Sequence, residues 1–204
     1  FSTRKERFEA HIATIAGTSV WQFPYVSADG LELPVTQSNG ITGWEISNGI
    51  LTTSNAGFTI DTDKTFYCEA TIKIDTVTSL TELWFGFRKA AAYQVAPDSY
   101  TDRACFNIGE DANGQIEIHT LLNTAGGTTT DTTLTDWAAG GEHTLRVVVD
   151  GTGLCSFYFD GALPTVTKAD FTFDTTDVVV PFLAITTETG DPGVSISSWR
   201  VGYL

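Results

Sequence analysis

The chain lacks any apolar run approaching the ~18 residues that a membrane-spanning helix needs. It also lacks an apolar stretch behind basic residues shaped like a leader. The expectation is a soluble protein with no membrane partner. Positive charge is scarce: 11 Lys and Arg stand against 25 Asp and Glu in 204 residues, a formal net charge of −14 at pH 7. A nucleic-acid backbone is repelled over most of such a surface, so nucleic acid is set aside as a partner. Cysteine is sparse and odd in number, at Cys68, Cys105 and Cys155. Three cannot pair completely within one chain, and the reading is buried free thiols rather than a disulfide framework. No C-x-x-C, no H-x-x-x-H and no glycine-rich phosphate loop occurs, and His11, His119 and His143 sit near no Ser or Cys in a triad or elbow pattern. Zinc, nucleotides and nucleophilic catalysis are thereby disfavoured.

Helical periodicity is nearly absent as well. One stretch, residues 3–16 (TRKERFEAHIATIA), predicts a helix: Thr3 and Glu6 suit a capping box, Phe8, Ile12 and Ile15 share a face, and Gly17 ends it. With Arg4, Lys5 and Arg7 it forms a basic amphipathic arm, residues 1–18, ahead of a domain at residues 19–204. Its expected role is assembly, the module being tethered through it to a larger structure; capping an open end of the sandwich is the plainer role.

Everything after the arm alternates with a period of two. In EHTLRVVVDGTGLCSFYFDG, residues 142–161, Leu145, Val147 and Val149 point one way, Asp150-Gly151-Thr152-Gly153 breaks the run, and Cys155, Phe157 and Phe159 resume it. FYCEATIKI (66–74) sets Phe66, Cys68, Ala70, Ile72 and Ile74 against Tyr67, Glu69, Thr71 and Lys73. LWFGFR, a hairpin around GEDANG, DVVVPFLAIT and VSISSWRVGY add further strands, with Pro181 marking an edge, bulge or kink. Many short strands with turn signals between them predict an all-β fold, a two-sheet antiparallel sandwich with a short N-terminal helix or arm.

The hairpin HTLRVVVDGTGLCSFYFDG, with LWFGFR before it and VSISSWRVGY after it, resembles the concanavalin A-like lectin/glucanase superfamily, especially its laminin G-like jelly rolls. The resemblance covers residues 41–204 and implies a jelly-roll sandwich. That superfamily holds lectins, glycosidases, adhesion modules and viral particle proteins, so it implies no single function. The whole chain is also similar to jelly-roll proteins of bacteriophages and environmental viruses. That likeness implies a virion-surface or otherwise extracellular location, other virion or capsid proteins as partners, and a homo-oligomer, by analogy a trimer.

A glucanase needs two carboxylates about 5–5.5 Å apart for retention, supplied by acids at i and i+2 or i+4 of one strand. No strand carries that pattern. Asp61 and Asp63 have the interval but occupy a Thr-rich turn, where Asx turns suffice. Glu117 and His119 share a strand face, as acid and base or as a solvated polar row. For glycan binding, Tyr93, Tyr100, Trp84 and Trp137 offer rings, and Asp98, Asp102, Arg88 and Arg103 offer polar partners, mostly within the long loop KAAAYQVAPDSYTDR. The competing reading has Trp84 and Trp137 covering a sheet or a subunit contact. Asp111 and Asn113, in the turn between two strands, place oxygen donors suited to calcium; D-x-N-G is also an ordinary hairpin turn. No other cofactor is expected. The expectation is a non-catalytic surface module of a phage virion, with a lectin-like domain as the alternative and a glycoside hydrolase third.

Overall fold

The computed structural model describes residues 57–91, 94, 96–109, 114–166, 170–186 and 192–204, and, as backbone alone, residues 9–14, 25–27, 30–33 and 41–47. In chain order the strands are β1 (Glu9–Thr14), β2 (Tyr25–Ser27), β3 (Gly30–Leu33), β4 (Ile41–Ser47), β5 (Phe58–Thr59), β6 (Phe66–Ile74) and β7 (Glu82–Lys89). They continue with β8 (Arg103–Ile108), β9 (Ile116–Leu122), β10 (Ala125–Asp131), β11 (Gly141–Val149), β12 (Cys155–Phe159), β13 (Val178–Thr186) and β14 (Val194–Tyr203). The larger sheet runs β1-β4-β13-β7-β8-β9-β10 with β5 also on β13, and the smaller runs β12-β11-β6-β14-β3-β2. Neighbouring strands are antiparallel in every pair. The fold is the expected all-β sandwich of two antiparallel sheets.

Alternation places the core between the sheets. In β6, Phe66, Cys68, Ala70, Ile72 and Ile74 are buried while the four residues between them are half-buried. From β11 come Leu145, Val147 and Val149, and from the facing sheet Leu83, Phe85, Phe87, Phe106, Ile108, Leu183 and Ile185. Phe58 stacks on Phe66 with centroids 4.2 Å apart, and Phe85 meets Trp199 edge-on at 5.6 Å. Each such side chain contributes about 1.5–3 kcal/mol through burial.

The hairpin of β11 and β12 pairs Leu145 with Phe159, Val147 with Phe157 and Val149 with Cys155. One carboxylate oxygen of Asp150 fixes its turn, accepting the N–H groups of Thr152 and Leu154 at 2.9 and 3.0 Å and the Thr152 hydroxyl at 2.7 Å. Gly153 has φ +92°, and a Cβ there would lie 2.8 Å from the Phe173 carbonyl oxygen. Pro181 falls between the stretch of β13 paired to β5, Val178 and Val179, and the stretch paired to β4, residues 182–186. Its missing N–H therefore interrupts neither of those two ladders.

The predicted amino-terminal helix is corrected over part of its length. Residues 9–14 are the strand β1, with Glu9 opposite Ser47 and Ile12 opposite Trp44. EAHIAT alternates with a period of two as readily as it follows a helical face, and a short apolar run does not decide between them. The edge of β4 does decide, because it supplies backbone partners along the whole segment, whereas an isolated helix this short is marginal. Arg4, Lys5, Arg7, Phe8 and Ile15 lie outside the described residues.

Candidate functional site

Three neighbouring strands of the larger sheet break the alternation: residues 83–88 of β7, 103–108 of β8 and 179–185 of β13 are buried throughout. Something therefore covers the outer face of this sheet. Register builds that face in rows. One runs Ala184, Trp84, Asn107, Glu117, Asp131, the next Phe182, Gly86, Cys105, His119, Thr129, and the third Val180, Arg88, Arg103, Leu121. Trp84, Cys105, Phe182 and Ala184 form a second apolar cluster, separate from the main core.

The cover is the loop before β8. A single 3-10 turn, Pro97–Ser99, sends Tyr100 inward. Tyr100 is 2% exposed, and its hydroxyl accepts the Gln94 N–H at 3.1 Å. Arg88, wholly buried, lies 4.2 Å over the Tyr100 ring and 5.9 Å over Phe182, and it donates to the Lys89 carbonyl at 3.1 Å. Arg103 donates to the carbonyls of Asp98 and Tyr100 at 2.8 and 2.9 Å, with its guanidinium 5.2 Å over the Trp84 ring. The Arg103 Nε has no hydrogen-bond partner among the described residues.

The far end of the loop is tied down by charge. Asp102 accepts the Asn123 N–H and the Thr101 hydroxyl, both at 2.7 Å. Lys89 bridges Asp177 at 2.5 Å and Asp102 at 3.9 Å. The hydrogen bond with Asp177 holds the Lys89 ammonium above the usual lysine range; partial burial opposes this, and the charges of Asp177, Asp102 and Asp174 reinforce it.

Beside this strap a cleft of about 230 Å³ stays open, lined by Glu82, Trp84, Asp98, Arg103, His119 and residues 127–129 of β10. Trp84 donates its indole N–H to Glu82 at 2.9 Å and meets the His119 ring edge-on at 4.9 Å. His119 Nε2 is hydrogen-bonded to Glu117 at 2.9 Å. Cys105 lies beneath, its thiol 3.6 Å from the His119 carbonyl oxygen. Burial pushes that thiol up to about 12; the nearby Arg103 lowers it and Glu82 raises it.

The structure sorts the residues picked out in the sequence. Trp84, Arg103 and Asp98 meet at the cleft, whereas Arg88, Tyr100 and Asp102 build the strap that closes the face. Tyr100 is thus corrected from an exposed ring to a buried one, and so is Trp84, 1% exposed. Trp137 is corrected likewise: 1% exposed, it donates to the Gly141 carbonyl at 3.0 Å and packs on His143 at 4.7 Å. Tyr93, Asp111 and Asn113 lie outside the described residues. Among the described residues no three His, Cys, Asp or Glu side chains come together in a way that could hold a metal ion. Asp63 is structural, accepting the Thr59 N–H at 2.6 Å and the Tyr203 hydroxyl at 2.7 Å. All three cysteines are free and buried.

No protein-family model and no curated protein sequence matches the chain. Solved structures do. An alginate lyase from Pseudomonas aeruginosa superposes with a TM-score of 0.59 at 16% identity, over 91% of this chain and 87% of that one. An alginate lyase from Corynebacterium sp. gives 0.61 at 11%, over 97% and 94%. The carbohydrate recognition domain of Emp46p, in a potassium-bound form, gives 0.62 at 9%, over 96% and 88%. At these identities the likeness is one of fold, and the fold is shared by enzymes and binding domains alike.

Proposed function

We propose that the chain is a non-catalytic jelly roll that acts by binding, with a small glycan-contact cleft at Trp84, Arg103 and His119. The observation that carries this reading is the strap. Among the described residues, Tyr100 and Arg88 pack over β7 and β13 and occupy the outer face of the larger sheet where a polymer would lie. The 230 Å³ cleft falls below the roughly 300–1,000 Å³ of sites that enclose drug-sized ligands. It suits a single sugar ring held through its hydroxyls, with carboxylate, hydroxyl and guanidinium groups around it and the Trp84 ring, 1% exposed, beneath the Arg103 guanidinium. Emp46p's domain, which has the same fold, is named for carbohydrate recognition. The setting we propose is a virion surface, where an oligomer presents several such clefts and avidity compensates for weak single contacts.

A glycan array with the purified chain tests the binding reading. Specific binding that falls at least about tenfold in Thr129→Arg, which fills the cleft from β10, supports it. Binding indifferent to that change, or absent, overturns it. Sizing by light scattering tests the oligomer.

A second reading is a polysaccharide lyase or hydrolase. The His119 to Glu117 hydrogen bond beside the Arg103 guanidinium favours it, since a base and a cation able to hold a carboxylate then stand together. The alginate lyases of this fold point the same way. Release of unsaturated uronate from alginate, lost in His119→Ala, would replace the binding reading with this one.

A further inference from the structure

The smaller sheet carries a different kind of surface. Across β12, β11, β6 and β14 the register aligns Tyr158, Arg146, Glu69 and Arg200 in one row. The Arg146 guanidinium lies 4.6 Å over the Tyr67 ring, and Arg146 and Arg200 stand 3.9 and 3.5 Å from the two oxygens of Glu69. These are loose ion pairs, with donor and acceptor capacity to spare. At the rim Asp160 accepts the Thr144 N–H at 2.8 Å and is hydrogen-bonded to His143 Nδ1 at 2.7 Å. Arg146, Glu69, Thr144, Tyr158, Asp160 and Leu204 line an open basin of about 500 Å³, inside the size range of ligand sites.

From this we infer that the smaller sheet's outer face is a second saccharide site, for a neutral sugar, separate from the cleft on the larger sheet. Charge decides the class. Glu69 and Asp160 balance Arg146 and Arg200, so no net local field recruits an ion, and the formal charge of −14 repels a polyanion at longer range. A hydroxyl both donates and accepts, so a row of carboxylate, guanidinium and carboxylate serves adjacent hydroxyls in turn. Stacking on Tyr67 fixes the Arg146 plane, and its Nε is buried with no hydrogen-bond partner among the described residues. Its remaining N–H groups are thereby pre-oriented for a planar contact that Lys cannot reproduce. The Tyr158 ring, Val148 and Leu204 supply an apolar wall for the face of a pyranose.

The test is titration of the intact chain with neutral gluco-, manno- and galacto-oligosaccharides and with oligouronates, read by calorimetry and by the tyrosine ring resonances. At least one neutral oligosaccharide is expected to shift the Tyr158 signals with an affinity little changed by salt. Tyr158→Ala and Arg146→Lys should each weaken it at least about tenfold, while Tyr158→Phe and the cleft variant Thr129→Arg retain it. Tyr158 is half-buried on a solvent-facing row, so the fold tolerates these changes. The inference is overturned if no neutral sugar moves Tyr158, if only uronates bind and do so salt-dependently, or if the same signals move with protein concentration alone. If Thr129→Arg abolishes the neutral-sugar binding and Tyr158→Ala does not, the basin fails while the cleft stands; the reverse outcome keeps the basin and leaves the cleft to be judged on the array glycans whose binding Thr129→Arg reduces.

Discussion

The guanidinium of Arg88 sits 4.2 Å above the ring of Tyr100, and this contact turns the outer face of the larger sheet into a second interior. Both residues are buried, one from β7 and one from the strap, so their contact exists only while the loop is seated. Tyr100→Ala is expected to cost about 3–5 kcal/mol, as for other buried aromatics. Tyr100→Phe, which removes the acceptor for the Gln94 N–H, should cost about 0.5–1.5 kcal/mol. Urea unfolding followed by tryptophan emission checks both. A Tyr100→Ala variant as stable as the parent would show that the strap does not seal the face.

The other end of the strap rests on charge. The folded Lys89 ammonium titrates above its ordinary value through Asp177, so its stabilising contribution is complete below the unfolded lysine pKa of about 10.4. It is lost as pH rises through the folded value. Stability should fall on the alkaline side of that point in the parent and fall less in Lys89→Met, whose stability is lower at neutral pH. Denaturant midpoints across that range measure the difference. Parallel curves for the two proteins would remove Lys89 from the account.

How much of this was legible follows from what each strand faces. β6, β11 and β12 each have one face toward solvent, so their alternation reads directly as inside and outside. β7, β8 and β13 are covered on both faces, and parity alone says nothing about a cover supplied by residues 94 and 96–102. Hence Tyr100 looked like an exposed ring and is a buried one. Residues 9–14 satisfied two periodicities, and the edge of β4 chose between them. The row Tyr158, Arg146, Glu69 and Arg200 draws on four strands far apart in the chain; only register brings it together, and register is not written in any one segment. Asp150-Gly151-Thr152-Gly153 is the opposite case, a local turn whose chemistry is complete within five residues.

That turn yields an acid-side prediction. Partial burial alone would raise the Asp150 carboxyl, but hydrogen bonds from the Thr152 hydroxyl and from the Leu154, Thr152 and Gly153 backbone outweigh it and hold the group below the usual carboxylate range. A depressed carboxylate stabilises above its unfolded pKa of about 3.9 and loses that contribution as pH falls through the folded value. Asp150→Ala should cost on the order of 1 kcal/mol at neutral pH, with a weaker acid dependence. Thermal unfolding of parent and variant on both sides of that pKa tests it, and an unchanged neutral stability would count against the turn's role.

Two of the three thiols report on the two interiors separately. Cys68 lies between the sheets, and burial raises it well above the ordinary thiol value; Cys105 lies under the strap, pushed up to about 12 by the same cause. A thiol reacts as its thiolate, so neither should be labelled by a thiol reagent in the native protein near neutral pH. In Tyr100→Ala the strap loses its anchor and Cys105 should gain access, whereas Cys68, on β6 in the core between the sheets, should still wait for global unfolding. Labelling read by mass spectrometry after proteolysis distinguishes the two sites. Simultaneous labelling of Cys68 and Cys105 in that variant would mean that strap and sandwich open together, as one cooperative unit.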